Sequence, residues 1–168
     1  MGPGHFAVAF AVKPAAPKVP LGILLVASEA LDLMCFGFVG VGLEKIGVTQ
    51  VDLEHGIRAV VPGSIPWSHG LFMSLVWSVA AAALAYLIWR DRRTAGFLGL
   101  VVFSHWLLDL IVHTRDLPLL FAGSPLLGLG LWGSGPGLVF SGFLEVALLA
   151  GGVAIYLVAR KQRRSQGT

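Results

Sequence analysis

The sequence has one cysteine in 168 residues, Cys35, and only 12% of its residues are charged. A lone thiol excludes a disulfide framework and any four-cysteine zinc site. The scarcity of charge, with 56% apolar residues and a mean hydropathy of +0.82, excludes an ordinary soluble domain, where about a quarter of residues are charged. A broad basic face is missing too: the net charge of +3 comes from short clusters, so no nucleic-acid partner is expected. Lysine and arginine are absent from every long apolar stretch, leaving nothing basic there to offset an acid. What the chain has in abundance is apolar surface, and membrane lipid is the partner expected for it.

A bilayer-crossing helix needs roughly 20 mainly apolar residues. Four stretches qualify, at about residues 19–43, 67–89, 95–113 and 138–159. Trp67 and Trp89 frame the second as an aromatic belt does. Sorting the basic residues puts Lys13, Lys18, Arg90, Arg92, Arg93, Arg160, Lys161, Arg163 and Arg164 on one side, against Lys45, Arg58 and Arg115 on the other. The positive-inside rule then predicts that both termini are cytoplasmic.

The expected fold class is an all-α integral membrane protein, a four-transmembrane-helix bundle forming a single membrane domain over 1–168. Outer loops are expected at 44–66 and 114–137, and a basic cytoplasmic tail at 160–168. The apolar segment from Gly4 to Val12 is too short to cross, and its first lysine follows the apolar run, unlike that of a signal peptide. It reads as a short helix turned at Lys13 to Lys18, either re-entrant against the bundle or interfacial. The second outer loop, apolar and rich in glycine and proline, reads as a lid on the outer face. Small residues from Ala80 to Ala83 permit close packing with a helix of this chain or of a second copy, so a homo-oligomer stays open.

Four of the nine acidic residues fall inside these spans. Ionisable groups at membrane depth are costly and mark function by default. At 1.5 Å per residue, Asp32, Asp109 and Glu145 each lie about 20 Å above the basic boundary of their own helix, on three different helices. Glu29 and His105 lie about 15 Å up, and His5 about 12 Å up if its segment re-enters. His105, Asp109 and His113 follow one another at four-residue steps, a stripe on one helix face. His69 stands near the start of the second span. With no cation in the spans, these carboxylates are either protonated or gathered round a bound metal.

Histidine and carboxylate without thiolate are the ligands of a divalent ion, Zn²⁺ first, with Mn²⁺ or Fe²⁺ also suited. The candidate metal ligands are His5, Asp32, His69, His105, Asp109 and His113. A bound ion would make water acidic enough to attack near neutral pH, with Glu145 and Glu29 as candidate catalytic general bases. That chemistry fits a hydrolase acting on a lipid or amphiphilic phosphoester, or another small-molecule substrate, in the outer half of the bilayer. The same cluster could instead serve a small permease, as an ion or proton relay, although the acids do not continue to the cytoplasmic side. Haem ligation by His105, His113 and His69 sits poorly with so many carboxylates, and a purely structural role is the remaining alternative. Ser68, Ser104 and Ser141 are expected to bond backbone.

Gly4-His5, Ser68-His69, Ser104-His105-Trp106-Leu107-Leu108-Asp109 and Asp116-Leu117-Pro118-Leu119 occur in that order. In this series the chain resembles the YdjM-like family of predicted membrane-bound metal-dependent hydrolases. The resemblance implies a helical bundle of the bacterial inner membrane, distantly similar to zinc-dependent phospholipase C, with His5, Asp32, His69, His105 and Asp109 at the family's ligand positions. Where the family carries Asp-x-Asp-His, this chain has Asp32, Leu33 and Met34.

Overall fold

The computed structural model describes residues 2–61, 63–121 and 123–166. A 3-10 turn at Pro3–His5 leads into α1 (Phe6–Val12). Then follow α2 (Leu21–Ser28), α3 (Ala30–Gly40), β1 (Val48–Asp52), β2 (Gly56–Val61), the short α4 (Pro66–His69), α5 (Leu71–Trp89) and α6 (Arg92–Val112). Two-residue strands β3 (Leu117–Pro118) and β4 (Leu126–Leu127), a 3-10 turn at Leu131–Gly133 and α7 (Gly135–Gln166) complete the chain.

By length and composition α5, α6 and α7 can each cross a membrane, and α2 with α3 makes a fourth span if the pair is one helix bent by 56°. The sequence predicts an unbroken helix over 19–43. The break falls at Glu29, whose φ of −103° and ψ of 9° leave the helical region. Just before it, the Ser28 hydroxyl donates to the Leu25 carbonyl at 2.8 Å, a local bond that competes with the backbone ladder. The span expected at 138–159 is the middle of α7, which carries the basic tail on as helix to residue 166.

The helices pack around Leu24, Leu31, Leu98, Val101, Val102 and Trp106. Val26, Phe36, Val79, Leu87, Phe143 and Val146 point outward and are exposed, an apolar exterior suited to lipid. Arg90, left-handed at φ 52°, turns α5 into α6, and Asp91 caps α6 by accepting the Thr94 N–H at 3.1 Å. Helix α1 folds back along α7. A β-carbon at Gly152 would stand 2.3 Å from the Ala7 carbonyl oxygen, so only glycine allows this approach.

Two contacts gather the basic residues at one end: Lys18 lies 3.8 Å from Asp91, and Arg163 donates to the Pro14 carbonyl at 2.6 Å. At the other end the connection 44–66, expected as loop, folds into a hairpin of β1 and β2 with Thr49 opposite Ala59 and Asp52 opposite Gly56. The β-branched Val48, Thr49, Val51 and Ile57 favour strand. Asp52 accepts from the Glu54 N–H and the His55 ring, and Gly56, at φ +81°, closes the turn. The expectation of a wholly α-helical chain is therefore modified by this hairpin and by the small β3–β4 pair.

Candidate metal centre

Four segments bring their polar side chains to one point. Helix α6 carries His105 and Asp109 one turn apart, with His113 just past its end. Asp32 stands on the first turn of α3, His69 ends α4, and His5 ends the N-terminal 3-10 turn. Asp32 Oδ1 lies 3.2 Å from His69 Nε2 and 3.6 Å from His105 Nε2. Asp109 Oδ2 is 3.3 Å from His105 Nε2 and 3.6 Å from His69 Nε2. The other Asp109 oxygen is 3.3 Å from His5 Nε2 and 3.9 Å from His113 Nε2. The structure thus brings His5, Asp32, His69, His105 and Asp109 into two converging donor sets and leaves His113 outside them, 3.9 Å from Asp109.

The outer nitrogens fix how these rings face. His105 Nδ1 lies 2.7 Å from the Ser28 carbonyl oxygen, which can only accept, so Nδ1 carries the proton and Nε2 offers its lone pair inward. That carbonyl is available because the helix ends there. His113 Nδ1 donates in the same sense to Asp116 Oδ1 at 3.1 Å. For His69 the partner is Ser68 Oγ at 2.8 Å; the serine proton goes to Glu44 Oε2 at 2.7 Å, so Ser68 accepts from His69. Three histidines are therefore held by Nδ1; His69 and His105 aim Nε2 at both Asp32 and Asp109, and His113 turns its own towards Asp109. Metal-binding histidines are oriented in this way. His5 has no such tether; it stacks on His105, with ring centroids 3.7 Å apart and planes 6° from parallel.

The separations test whether an ion fits. Charge-assisted N–H···O bonds run about 2.7–2.9 Å. Two donors bound tetrahedrally to one zinc at about 2.0 Å lie about 3.3 Å from each other. The four contacts that join Asp32 and Asp109 to His69 and His105, at 3.2–3.6 Å, match the second geometry. His105 Nε2 and both His5 ring nitrogens are buried without a hydrogen-bond partner among the described residues. Two sets of donors converge closely enough to hold a metal ion, His5 with Asp32 and His105, and His69 with His105 and Asp109. Two carboxylates with neutral imidazoles also carry the charge that a divalent cation balances.

The cluster opens on one side. His5, His69, His105 and Asp109 are buried, whereas the Asp32 side chain is 42% exposed. Asp32, His69 and His113 line a cavity of 520 Å³ whose other walls include Phe36, Ile46 and Arg115. The hairpin side contributes Ile46, Thr49, Ala59 and Val61. The sequence places a lid in 114–137, but over this cavity the larger cover comes from 44–66, with Thr114 to Asp116 and Leu126 as a second wall.

Among the candidate bases, Glu29 sits at the helix break with Oε1 buried and unpartnered among the described residues. Glu145 lies against the N-terminal turn, its Cγ 3.2 Å from where a β-carbon on Gly4 would be. Neither belongs to the converging donor sets.

Sequence reasoning missed Glu44 and misread Ser68. Ser104 and Ser141 do bond backbone carbonyls, while Ser68 links a buried carboxylate to a histidine. Glu44 Oε1 also accepts the N–H groups of Trp67 and Ser68, each at 2.8 Å. The signal was faint: α4 begins Ile65-Pro66, and isoleucine at the cap position has no oxygen to satisfy the first turn. Some acceptor from elsewhere had to fill that place.

No protein-family model, curated protein or solved structure matches this chain.

Proposed function

We propose that this protein is a metal-dependent hydrolase embedded in a bacterial-type inner membrane, with both termini cytoplasmic and its centre in the outer half of the bilayer. The substrate class is a lipid or amphiphilic phosphoester. One observation carries the reading: His69 and His105, each held by Nδ1, point Nε2 at both Asp32 and Asp109. His69, His105, Asp32 and Asp109 would hold the ion, with His5 and His113 at its flank through Asp109. Zn²⁺ suits these donors best, and Mn²⁺ or Fe²⁺ suits them also. When bound, the ion supplies Lewis acidity towards a phosphoryl oxygen.

The rest falls to the chain itself. Asp32, the one exposed carboxylate of the group, faces the cavity from which a substrate would arrive. Phe36 and Ile46 give that cavity an apolar wall for a hydrocarbon tail. Glu29, with its unpartnered Oε1, is the candidate to take a proton from water, and Glu145 is the second candidate. At the other end of the cluster stand buried Leu24, Leu98 and Val101, apolar residues that favour chemistry at the centre over a proton or ion relay.

The test is elemental analysis of protein purified without chelator, beside headgroup or phosphate release from phosphatidylglycerol vesicles. Stoichiometric transition metal, lost with activity in His105→Ala, is the expected result. Metal-free wild type, or metal content untouched by that substitution, would overturn the proposal.

A further inference from the structure

A second constellation lies at the opposite end of the bundle. The last turns of α7 meet the Lys13-Pro14 turn around a cavity of 290 Å³, lined by Lys13, Pro14, Tyr156, Ala159, Arg160, Arg163 and Arg164. That volume is near the lower end of small-ligand pockets, which run from about 300 Å³ upwards. The lining holds four cationic side chains and no carboxylate.

Like charges crowd together only if something holds them or something answers them. Arg163 is held by the Pro14 carbonyl at 2.6 Å, and Lys13 Nζ by the carbonyls of Val19 at 2.6 Å and Pro17 at 3.0 Å. Burial, and then the Arg163 charge, pull the Lys13 ammonium below its ordinary pKa. The acid of this end, Asp91, is already engaged by Thr94 and Lys18. Among the described residues none of the four cations has a carboxylate within ion-pair distance. The Tyr156 ring packs on Phe10 of α1, 5.9 Å between centroids, giving the cavity one aromatic wall. Two cations fixed by backbone, two free to close in, and an apolar flank together make a receptor for a phosphate group at the end of an apolar molecule.

We propose that this cavity is an anion-binding site for phosphate, presented as the headgroup of an anionic lipid or as free phosphate. Basic pockets between helices bind lipid headgroups through this chemistry. The site is separate from the metal centre and stands whether or not the hydrolase reading does.

Arg160 and Arg164 are exposed and make no hydrogen bond among those described, so their replacement tests the site without disturbing the Arg163–Pro14 anchor. The full-length protein in non-ionic detergent is compared with Arg160→Gln/Arg164→Gln and with Arg92→Gln/Arg93→Gln. The second pair makes an equal charge change at the same end but outside the cavity. Native mass spectrometry measures retained phosphatidylglycerol against phosphatidylcholine, and calorimetry measures inorganic phosphate. Wild type should prefer phosphatidylglycerol, the cavity variant should lose on the order of tenfold in affinity, and the control should keep it. Phosphate binding abolished by the same cavity variant identifies the free anion as a ligand as well, and binding of lipid alone identifies the headgroup. Equal losses in both variants would reduce the effect to diffuse charge and overturn the site, as would wild type that binds neither probe.

Discussion

His105 Nδ1 donates to the Ser28 carbonyl oxygen across 2.7 Å, at the one turn where the first apolar helix is broken. The bend removes helix bonds, frees that carbonyl for the imidazole, and starts α3 so that Asp32 lies on its first turn. His105→Ala therefore removes a candidate ligand and leaves a buried carbonyl unpaired, a loss of about 1–3 kcal/mol. Unfolding in a mild detergent should show that loss even in protein stripped of metal, and metal content should fall as well.

Ser68→Ala cuts the connection from Glu44 to His69 while leaving every candidate ligand in place. Loss of such outer partners usually costs 10–100-fold in metal affinity. Competition against a chelator of known affinity measures the change, and circular dichroism should report unchanged helix content.

Gly152→Ala puts a methyl group where the Ala7 carbonyl lies and should push α1 off α7, carrying His5 from the cluster. Metal affinity should fall by about as much as in His5→Ala. The double variant should be no worse than either single, because residues acting through one contact are not additive.

Chelation should lower Tm and added Zn²⁺ should restore it. An ion present at 1,000 times its Kd stabilises by about 4 kcal/mol. Asp109→Asn should show neither the fall nor the recovery in the same thermal scan.

The Thr94 hydroxyl and N–H hold the Asp91 carboxyl below its usual range. A lowered carboxyl stabilises the fold above its ordinary value of about 3.9 and ceases to do so as pH falls through the lowered one. Asp91→Ala should thus lower Tm at neutral pH, and the gap to wild type should close in acid as wild type loses the same cap.

Much of the arrangement was legible in residue order because lipid simplifies the reading. Apolar length marks a helix able to cross, and any acid within it stands out, which is how Asp32, Asp109 and the His105 stripe were found. The break at Glu29 was not legible, since the flanking residues are equally apolar and no proline or glycine stands between Ile23 and Cys35 to mark it. The hairpin at 48–61 was overlooked for a different reason: β-branched residues around a five-residue aspartate-to-glycine turn carry the strand signal, and a long outer connection draws attention to function first. Glu44 was hidden by distance, 24 residues from the Ser68 hydroxyl it receives.

Helix α1 packs on α2, α6 and α7 and meets the last at Gly152, so the seat of the first of the six residues to leave the ribosome is completed late. Asp32, His69, His105 and Asp109 can meet once α6 is made, but the seat for α1 is completed only when α7 has been built as far as Gly152. Before then the N-terminal segment has α2 and α6 to rest on, and α7 adds the third surface. The His5 side of the centre is thereby tied to the synthesis of α7, and a product truncated before Gly152 would lack one of the surfaces that hold α1, and with it the stacked imidazole, in place.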